Sequence, residues 1–259
     1  MKVFSVCGVK QSGKTTTIEN IIRELCARGY RVGSVKEIHY EAFRIDPSPE
    51  SNTRRHREAG AGLVTARGYY ETDLLFPEKL AMDKLLDFYE DAYDYVVLEG
   101  VEDYPVPNIV TAHCEEDLRE KLNGFTFCVS GQITNECGVW NVECGVAGVP
   151  FIDATTDVKI LVDLIEQKVY DRLPNFPAEC CSACGMNCTE FAKAVLRGEK
   201  DRGVCVADKG VSLTVGGKRI KMVPFVQTVL KNAVLGVAGE LDGYVSGAEI
   251  QVIIGGKGQ

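Results

Sequence analysis

The sequence has 259 residues, of which 45% are apolar and 25% are charged, and this balance excludes wholesale disorder. The 29 Lys and Arg against 37 Asp and Glu leave a net charge of −8, so we expect no nucleic-acid partner. Because the sequence has no apolar run of about 18 residues, we also expect no membrane span.

The N-terminus runs through a short apolar stretch into a glycine-rich loop and lacks the pattern of a signal peptide. We therefore expect a cytoplasmic protein, in which thiols stay reduced. Eleven cysteines in such a compartment predict metal or redox chemistry rather than disulfides.

The first two thirds of the sequence alternate between predicted strands and helices. Apolar residues 3–9 predict a buried strand, and helical spacing from Ile18 to Cys26 predicts a helix that ends at Gly29. Turn-forming residues predict a loop over 44–53. Further strands are predicted at 31–35, 95–98, 125–130 and 149–152, and a helix at 158–165. This alternation predicts an α/β fold with a mostly parallel sheet and helices on both faces.

Two prolines in residues 173–177 predict a linker, after which the composition changes. We expect three parts: a nucleotide-binding domain (1–172), a cysteine-rich module (173–209) and a small α+β region (210–259). The last part should contain a strand before the Gly216-Gly217 turn, a helix over 225–237 and a strand over 249–254.

Residues Gly8 to Thr15 match G-x-x-x-x-G-K-[ST], the phosphate-binding loop of P-loop nucleotide hydrolases, between a predicted strand and a predicted helix. Its glycines let backbone N–H groups face phosphates, Lys14 can reach the β- and γ-phosphates, and the Thr15 hydroxyl can bind Mg²⁺. Lys10 has two interpretations. It contacts a phosphate, either of its own chain or across a dimer interface, or it is a solvated loop residue. The predicted nucleotide-binding residues are Gly8, Lys10, Gln11, Ser12, Gly13, Lys14, Thr15 and Thr16.

Residues 95–99 have the pattern of a Walker B strand, which delivers a carboxylate next to the phosphate loop. Glu99 would hold Mg²⁺ through water or polarise an attacking water, with helix capping as the alternative. Lys14 and Glu99 are therefore the catalytic candidates, and Asp46 is a further Mg²⁺ candidate. Because no Asn-Lys-x-Asp base-reading motif is present, the residues leave GTP and ATP both open.

Several segments beyond the phosphate loop together form a pattern that indicates a family: Val35-Lys36-Glu37-Ile38-His39, Phe43-Arg44-Ile45-Asp46, Asn52 to Ala61, Leu98-Glu99-Gly100 and Pro107-Asn108-Ile109. The run from His56 to Ala61 is specific, because nucleotide binding alone does not require it. Over residues 1–170 the sequence resembles the molybdopterin-guanine dinucleotide biosynthesis protein B (MobB) family. It departs from that family at Glu37, Asn52 and Asn108, where His, Asp and Lys are usual.

The resemblance implies a GTP-binding, Mg²⁺-dependent and often homodimeric adaptor that hydrolyses GTP slowly. Such a protein would assist the conversion of molybdopterin to molybdopterin guanine dinucleotide. Its partner would be a molybdopterin guanylyltransferase-type enzyme, which performs the nucleotidyl transfer, or the target molybdoenzyme. Molybdopterin itself is a further ligand that the resemblance suggests.

Five cysteines fall within residues 180–205, and four of them have the spacing C-x2-C-x3-C-x16-C: Cys181, Cys184, Cys188 and Cys205. Zinc sites usually have two C-x2-C pairs, whereas this spacing has one, so it favours an iron–sulfur cluster of the [4Fe–4S] type. The segment also resembles a small iron–sulfur module of anaerobic redox proteins. That module usually has a longer spacing before its third cysteine, which leaves Cys180 as an alternative ligand to Cys181.

Three functions fit these observations. The first is a GTP-binding accessory protein of molybdenum or tungsten cofactor biosynthesis, whose cluster senses redox state or docks a partner. The second is an ATPase that drives metal insertion or gates electrons in the maturation of an anaerobic metalloenzyme. The third is a nucleotide-gated scaffold with a structural cluster.

Overall fold

The computed structural model describes residues 1–40, 43, 48, 50–136, 148–176, 179, 181, 183–205, 211–216, 218–220 and 222–253. The chain divides into two compact units. The first contains Met1–Leu173 and Ala192–Arg202, and the second contains Pro174–Phe191 and Gly203–Gln259. The three-part division expected from composition stays a prediction.

The elements of residues 1–173 are, in chain order, β1 (Lys2–Gly8), α1 (Lys14–Ala27), β2 (Val32–Lys36), α2 (Asn52–Glu58), β3 (Val64–Arg67), β4 (Thr72–Leu75), α3 (Met82–Leu86), β5 (Tyr95–Glu99), β6 (Asn108–Thr111), α4 (Glu115–Lys121), β7 (Thr126–Ser130), α5 (Ile133–Glu136) and α6 (Val158–Lys168). After these come α7 (Cys188–Leu196), a 3₁₀ turn (Arg202–Val204), β8 (Leu213–Val215), β9 (Lys218–Ile220) and α8 (Pro224–Ala238).

Five parallel strands form the central sheet in the order β2-β5-β1-β6-β7. The β1 strand is central, and its carboxyl end lies between the ends of β5 and β6. Ligands of open α/β sheets bind at this edge, where the strand order reverses. The topology therefore places the loop that follows Gly8 at the expected position of a ligand site.

Alternate residues of the strands bury on opposite faces of the sheet, as the period of a strand requires. On one face, apolar residues of α1 and α6 pack against strand residues such as Phe4, Ile109 and Cys128. On the other face, α3, α4 and α5 contribute Leu86, Leu118 and Ile133 to two smaller clusters. The predicted α/β fold with a mostly parallel sheet and helices on both faces is confirmed.

Three local predictions in the chain are wrong. Residues 149–152 form no strand, because Phe151 makes only a single parallel bridge to Val129. The loop predicted over 44–53 ends early: Ser51 accepts a hydrogen bond from the backbone N–H of Arg54 and so caps α2, while residues 44–47 and 49 lie outside the described part. The strand predicted over 249–254 is absent from its described residues, 249–253.

The predictions for the other C-terminal elements are confirmed. The helix predicted over 225–237 corresponds to α8. Strands β8 and β9 form an antiparallel hairpin, and Gly216 at its turn has a φ of 59°. Within the described residues, no helix is both long and apolar enough to cross a membrane.

Candidate functional site

The loop from Gly8 to Thr15 connects the central strand β1 to α1 and contains three residues with positive φ. Gly8 has φ 147°, Gln11 has φ 63°, and Gly13, which precedes α1, has φ 99°. A side chain at position 8 would bring a Cβ atom within 2.0 Å of the carbonyl oxygen of Thr111. The loop conformation therefore requires glycine at Gly8, where β6 approaches the backbone closely.

Residues from β6 and from the turn after β7 support the loop. The Ser12 hydroxyl donates to the carbonyl of Val9 (2.9 Å) and lies 2.7 Å from Oγ1 of Thr111. The backbone N–H of Gln132 donates to the carbonyl of Ser12 (3.0 Å). A Cβ atom at Gly131 would lie 2.3 Å from that same Ser12 oxygen. The loop is thus held in shape by packed neighbours.

The ammonium group of Lys14 lies over the loop. It donates to the carbonyl oxygen of Gly8 (3.0 Å) and to that of Val9. Burial lowers the pKa of Lys14 below its ordinary value, and the charge of Glu99 acts in the opposite direction. Neutral carbonyls are weaker partners for an ammonium than phosphate oxygens, so a bound nucleotide can replace them.

Glu99 lies at the end of β5 and its carboxylate is mostly buried, with 15% of the side chain exposed. The Thr15 hydroxyl donates to Oε1 of Glu99 at 2.8 Å. Because Glu99 is in register with Val6 of β1, the sheet itself brings this carboxylate to the phosphate loop. A hydroxyl and a carboxylate are the oxygen ligands that Mg²⁺ takes beside nucleotide phosphates, so these two residues fit the ion.

Lys36 also contacts this carboxylate, with its Nζ 2.8 Å from the same Oε1 atom. The site prediction did not include Lys36, and neither Thr111 nor Gly131 was predicted to support the loop. The signals for Lys36 were its place directly after the strand predicted over 31–35 and its presence in a segment that carries the MobB resemblance. The signal for Thr111 and Gly131 was weaker still, because each is a single residue, one polar and one a glycine, near the end of a strand.

The other predicted residues of the first unit are less informative. Lys10, Gln11 and Thr16 are exposed around the loop. Asp46, the further Mg²⁺ candidate, lies outside the described residues.

The four cysteines with cluster-like spacing all lie in the second unit as partly buried thiols that form no disulfide: Cys181, Cys184, Cys188 and Cys205. Burial raises the pKa of Cys188, a backbone hydrogen bond with Phe176 acts in the opposite direction, and the other three thiols raise it further. Cys188 is therefore within electrostatic range of each of the other three thiols.

Proximity of the thiols does not by itself make a metal site. Over the described ranges of the chain, no group of three or more His, Cys, Asp or Glu side chains is arranged to hold a metal ion. Cys180 lies outside those ranges, so the choice between Cys180 and Cys181 stays open. The predicted ligands lie in the same unit, but they are not arranged around a common metal position. The [4Fe–4S] cluster therefore stays a prediction.

Two further cysteines belong to the core of the first unit. Burial raises the pKa of Cys7 to about 11 and that of Cys128 to about 12. Both thiols therefore stay protonated at neutral pH and pack as small apolar groups.

Residues 3–124 match the family model described as "Molybdopterin guanine dinucleotide synthesis protein B" (MobB). A Methanocaldococcus jannaschii protein named "Putative molybdopterin-guanine dinucleotide biosynthesis adapter protein" is 25% identical over 261 aligned positions, which cover 98% of this chain and 97% of that protein. A Haemophilus influenzae protein named "Molybdopterin-guanine dinucleotide biosynthesis adapter protein" is 29% identical over 111 positions, or 42% of this chain and 61% of its own length. These matches support the MobB resemblance inferred from the motifs.

A crystal structure of Bacillus subtilis MobB superposes with a TM-score of 0.52 at 22% identity, covering 66% of this chain and 100% of that chain. At this identity the likeness shows the fold alone, which this chain shares with Bacillus subtilis MobB. About a third of the chain lies outside the superposition. The alignment with the archaeal protein, in contrast, extends over nearly the whole sequence.

Proposed function

We propose that this protein is a GTP-binding accessory protein of molybdenum or tungsten cofactor biosynthesis. It assists the conversion of molybdopterin to molybdopterin guanine dinucleotide, beside a guanylyltransferase-type partner or the target molybdoenzyme. The observation that carries the proposal is the formed phosphate loop, in which the Thr15 hydroxyl meets the Glu99 carboxylate at 2.8 Å beside Lys14. The match of residues 3–124 to the MobB model and the names of the relatives support the pathway.

The loop offers a nucleotide two sources of positive potential. Lys14 supplies a full charge, and the amino end of the 14-residue helix α1 supplies free N–H groups and the positive end of its dipole. Thr15 and Glu99 would hold Mg²⁺, which neutralises phosphate charge when bound. Gly8, Lys10, Gln11, Ser12, Gly13 and Thr16 would surround the phosphates.

Glu99 is better placed to organise the site than to activate water. Its Oε1 atom already accepts hydrogen bonds from Thr15 and Lys36, so one of its two carboxylate oxygens is occupied by residues of the site. We therefore expect slow hydrolysis of GTP, with binding as the functional event. A homodimer in the cytoplasm remains part of this proposal.

For the second unit we propose that Cys181, Cys184, Cys188 and Cys205 hold a [4Fe–4S] cluster, with Cys180 as the alternative to Cys181. Four thiolates are the donor set that such clusters require, and the proximity of these thiols supports the assignment. Because metal binding and local folding are coupled, the cluster itself would draw the thiols into the ligating arrangement. Its role would be redox sensing or docking of the partner.

The test is a calorimetric titration of anaerobically purified protein with GTP and with ATP, each with Mg²⁺ and with EDTA. We expect a preference for GTP that needs Mg²⁺, and a loss of binding of at least a hundredfold in Lys14→Ala. Lys159→Ala is the matched control, because Lys159 is an exposed lysine on α6.

A clear preference for ATP would overturn the proposal and would favour the metal-insertion or electron-gating ATPase instead. Binding that survives in Lys14→Ala would show that the loop is not the nucleotide site.

A further inference from the structure

The Glu99 carboxylate in the proposed nucleotide site is shared by two donors, of which Lys36 is mostly exposed. Thr15 Oγ1 and Lys36 Nζ each lie 2.8 Å from Oε1 of Glu99. The carboxylate side chain is 15% exposed, whereas 59% of the Lys36 side chain is exposed. Because solvent reaches most of the Lys36 side chain, it screens this ion pair from the Lys36 side.

The charge of Lys36 reaches Lys14 at this edge of the sheet. Burial lowers the pKa of Lys14 and the charge of Lys36 acts in the same direction, whereas Glu99, Cys7 and Glu102 act in the opposite direction. A terminal phosphate would add negative charge at this edge and would give Lys36 a stronger partner than Glu99.

The sheet places Lys36 within reach of the mouth of the loop. Lys36 is in register with Glu99 on β5, and Glu99 is in register with Val6 on β1. Lys36 therefore lies two strand spacings of about 4.8 Å from the strand that begins the loop. Its flexible four-carbon stem can cross part of that distance, and bound phosphates would extend outward from the loop toward it.

We propose that Lys36 is a specificity residue that distinguishes nucleoside triphosphates from diphosphates. It holds the Glu99 carboxylate in the nucleotide-free protein, and it moves to an oxygen of the terminal phosphate when a triphosphate binds. The inference rests on the proposed nucleotide site. It assigns recognition of the third phosphate to a residue outside the phosphate loop.

The test is the ratio of affinities for GTP and GDP, measured by calorimetry with Mg²⁺ on the full chain. We expect Lys36→Ala to lower the preference for GTP about tenfold, because a charge-assisted hydrogen bond is lost, and to weaken GDP binding less than about threefold. Lys36→Arg should keep most of the preference.

The matched control is Lys79→Ala. Lys79 is an exposed lysine that pairs with Glu37, the residue after Lys36, and its removal should leave the ratio unchanged. A merely structural role for Lys36 would lower both affinities together and would overturn the inference, as would an unchanged ratio.

The two proposals fail in different ways. If the wild-type chain binds no nucleotide, the proposed function fails. If it binds ATP rather than GTP, the same ratio is measured with ATP and ADP, and Lys36 is still tested. If wild-type binding is normal and Lys36→Ala keeps the full preference for the triphosphate, only the inference on Lys36 fails.

Discussion

The phosphate loop and the cysteine-rich segment are built in different ways. In the loop, β6 and the turn after β7 hold Ser12 from two sides. The four thiols are neighbours, yet the described residues form no arrangement that would hold a metal. One site is preorganised by the protein, whereas the other would need its ligand to be completed.

The packing of the two units explains this difference. The first unit buries a five-stranded sheet between helices on both faces. In the second unit, of the residues that the structure describes, only Phe191, Met222 and Gln227 are buried. So small a core supplies little stability, and metal-binding free energy commonly replaces it in such modules.

The largest effect should follow from removing a cluster ligand. Cys184→Ser or Cys188→Ser should abolish the bound iron, and the second unit should then become sensitive to protease while the first stays folded. Iron and sulfide analysis together with limited proteolysis, both without oxygen, measure this effect. Cys114→Ser is the control, because Cys114 is an exposed cysteine of the first unit. Equal iron in all three variants would show that these thiols hold no cluster.

A smaller but clear effect should follow from Gly131→Ala. The new Cβ atom would clash with the Ser12 carbonyl and with Thr111, and Gly131 also has a φ of 83°. We expect a loss of about 2–4 kcal/mol in unfolding free energy and at least tenfold weaker nucleotide binding, with the iron content unchanged. Urea denaturation and calorimetry provide the two readouts.

Gly29→Ala separates the clash from backbone strain. Gly29 has a φ of 91°, and no atom within 4 Å would meet its Cβ. This variant should lose stability without a comparable loss of nucleotide affinity. If Gly131→Ala binds nucleotide as tightly as Gly29→Ala does, the preorganisation of the loop does not depend on the turn after β7.

The smallest effect concerns stability alone. The Arg172 side chain is 5% exposed and pairs with Asp83, Asp87 and Glu90. Arg172→Ala should lower the unfolding free energy of the first unit by about 2–3 kcal/mol, because three carboxylates lose a shared partner. Iron content should not change, and Arg31→Ala, at an exposed ion pair, should barely shift the urea midpoint. A loss of iron in Arg172→Ala would contradict the independence of the two sites.

Local sequence patterns predicted the phosphate loop because its motif is contiguous and its conformation follows from a strand, glycines and a helix start. The same patterns missed β6, which has only four residues and directly follows Pro107. They also missed the contacts that complete the site. Ser12 and Thr111 are 99 residues apart, and Lys36 and Glu99 are 63 apart, so only the strand order brings them together.

For the cysteines, the limit of prediction has a different physical cause. The spacing of Cys181, Cys184 and Cys188 predicts a shared cluster, and that prediction stays untested. The ligating arrangement is a property of the chain with its metal, since thiolates gather around an ion that the sequence does not contain.

The most direct test of this contrast is hydrogen exchange with mass spectrometry on anaerobically purified protein, before and after a chelator removes iron, without nucleotide. We predict that peptides covering residues 8–27 and 95–99 keep their protection, while those covering 181–191 of the second unit lose it. The account would be contradicted by a starting sample without iron, by equal protection of 181–191 in both samples, or by loss of protection in the phosphate loop itself.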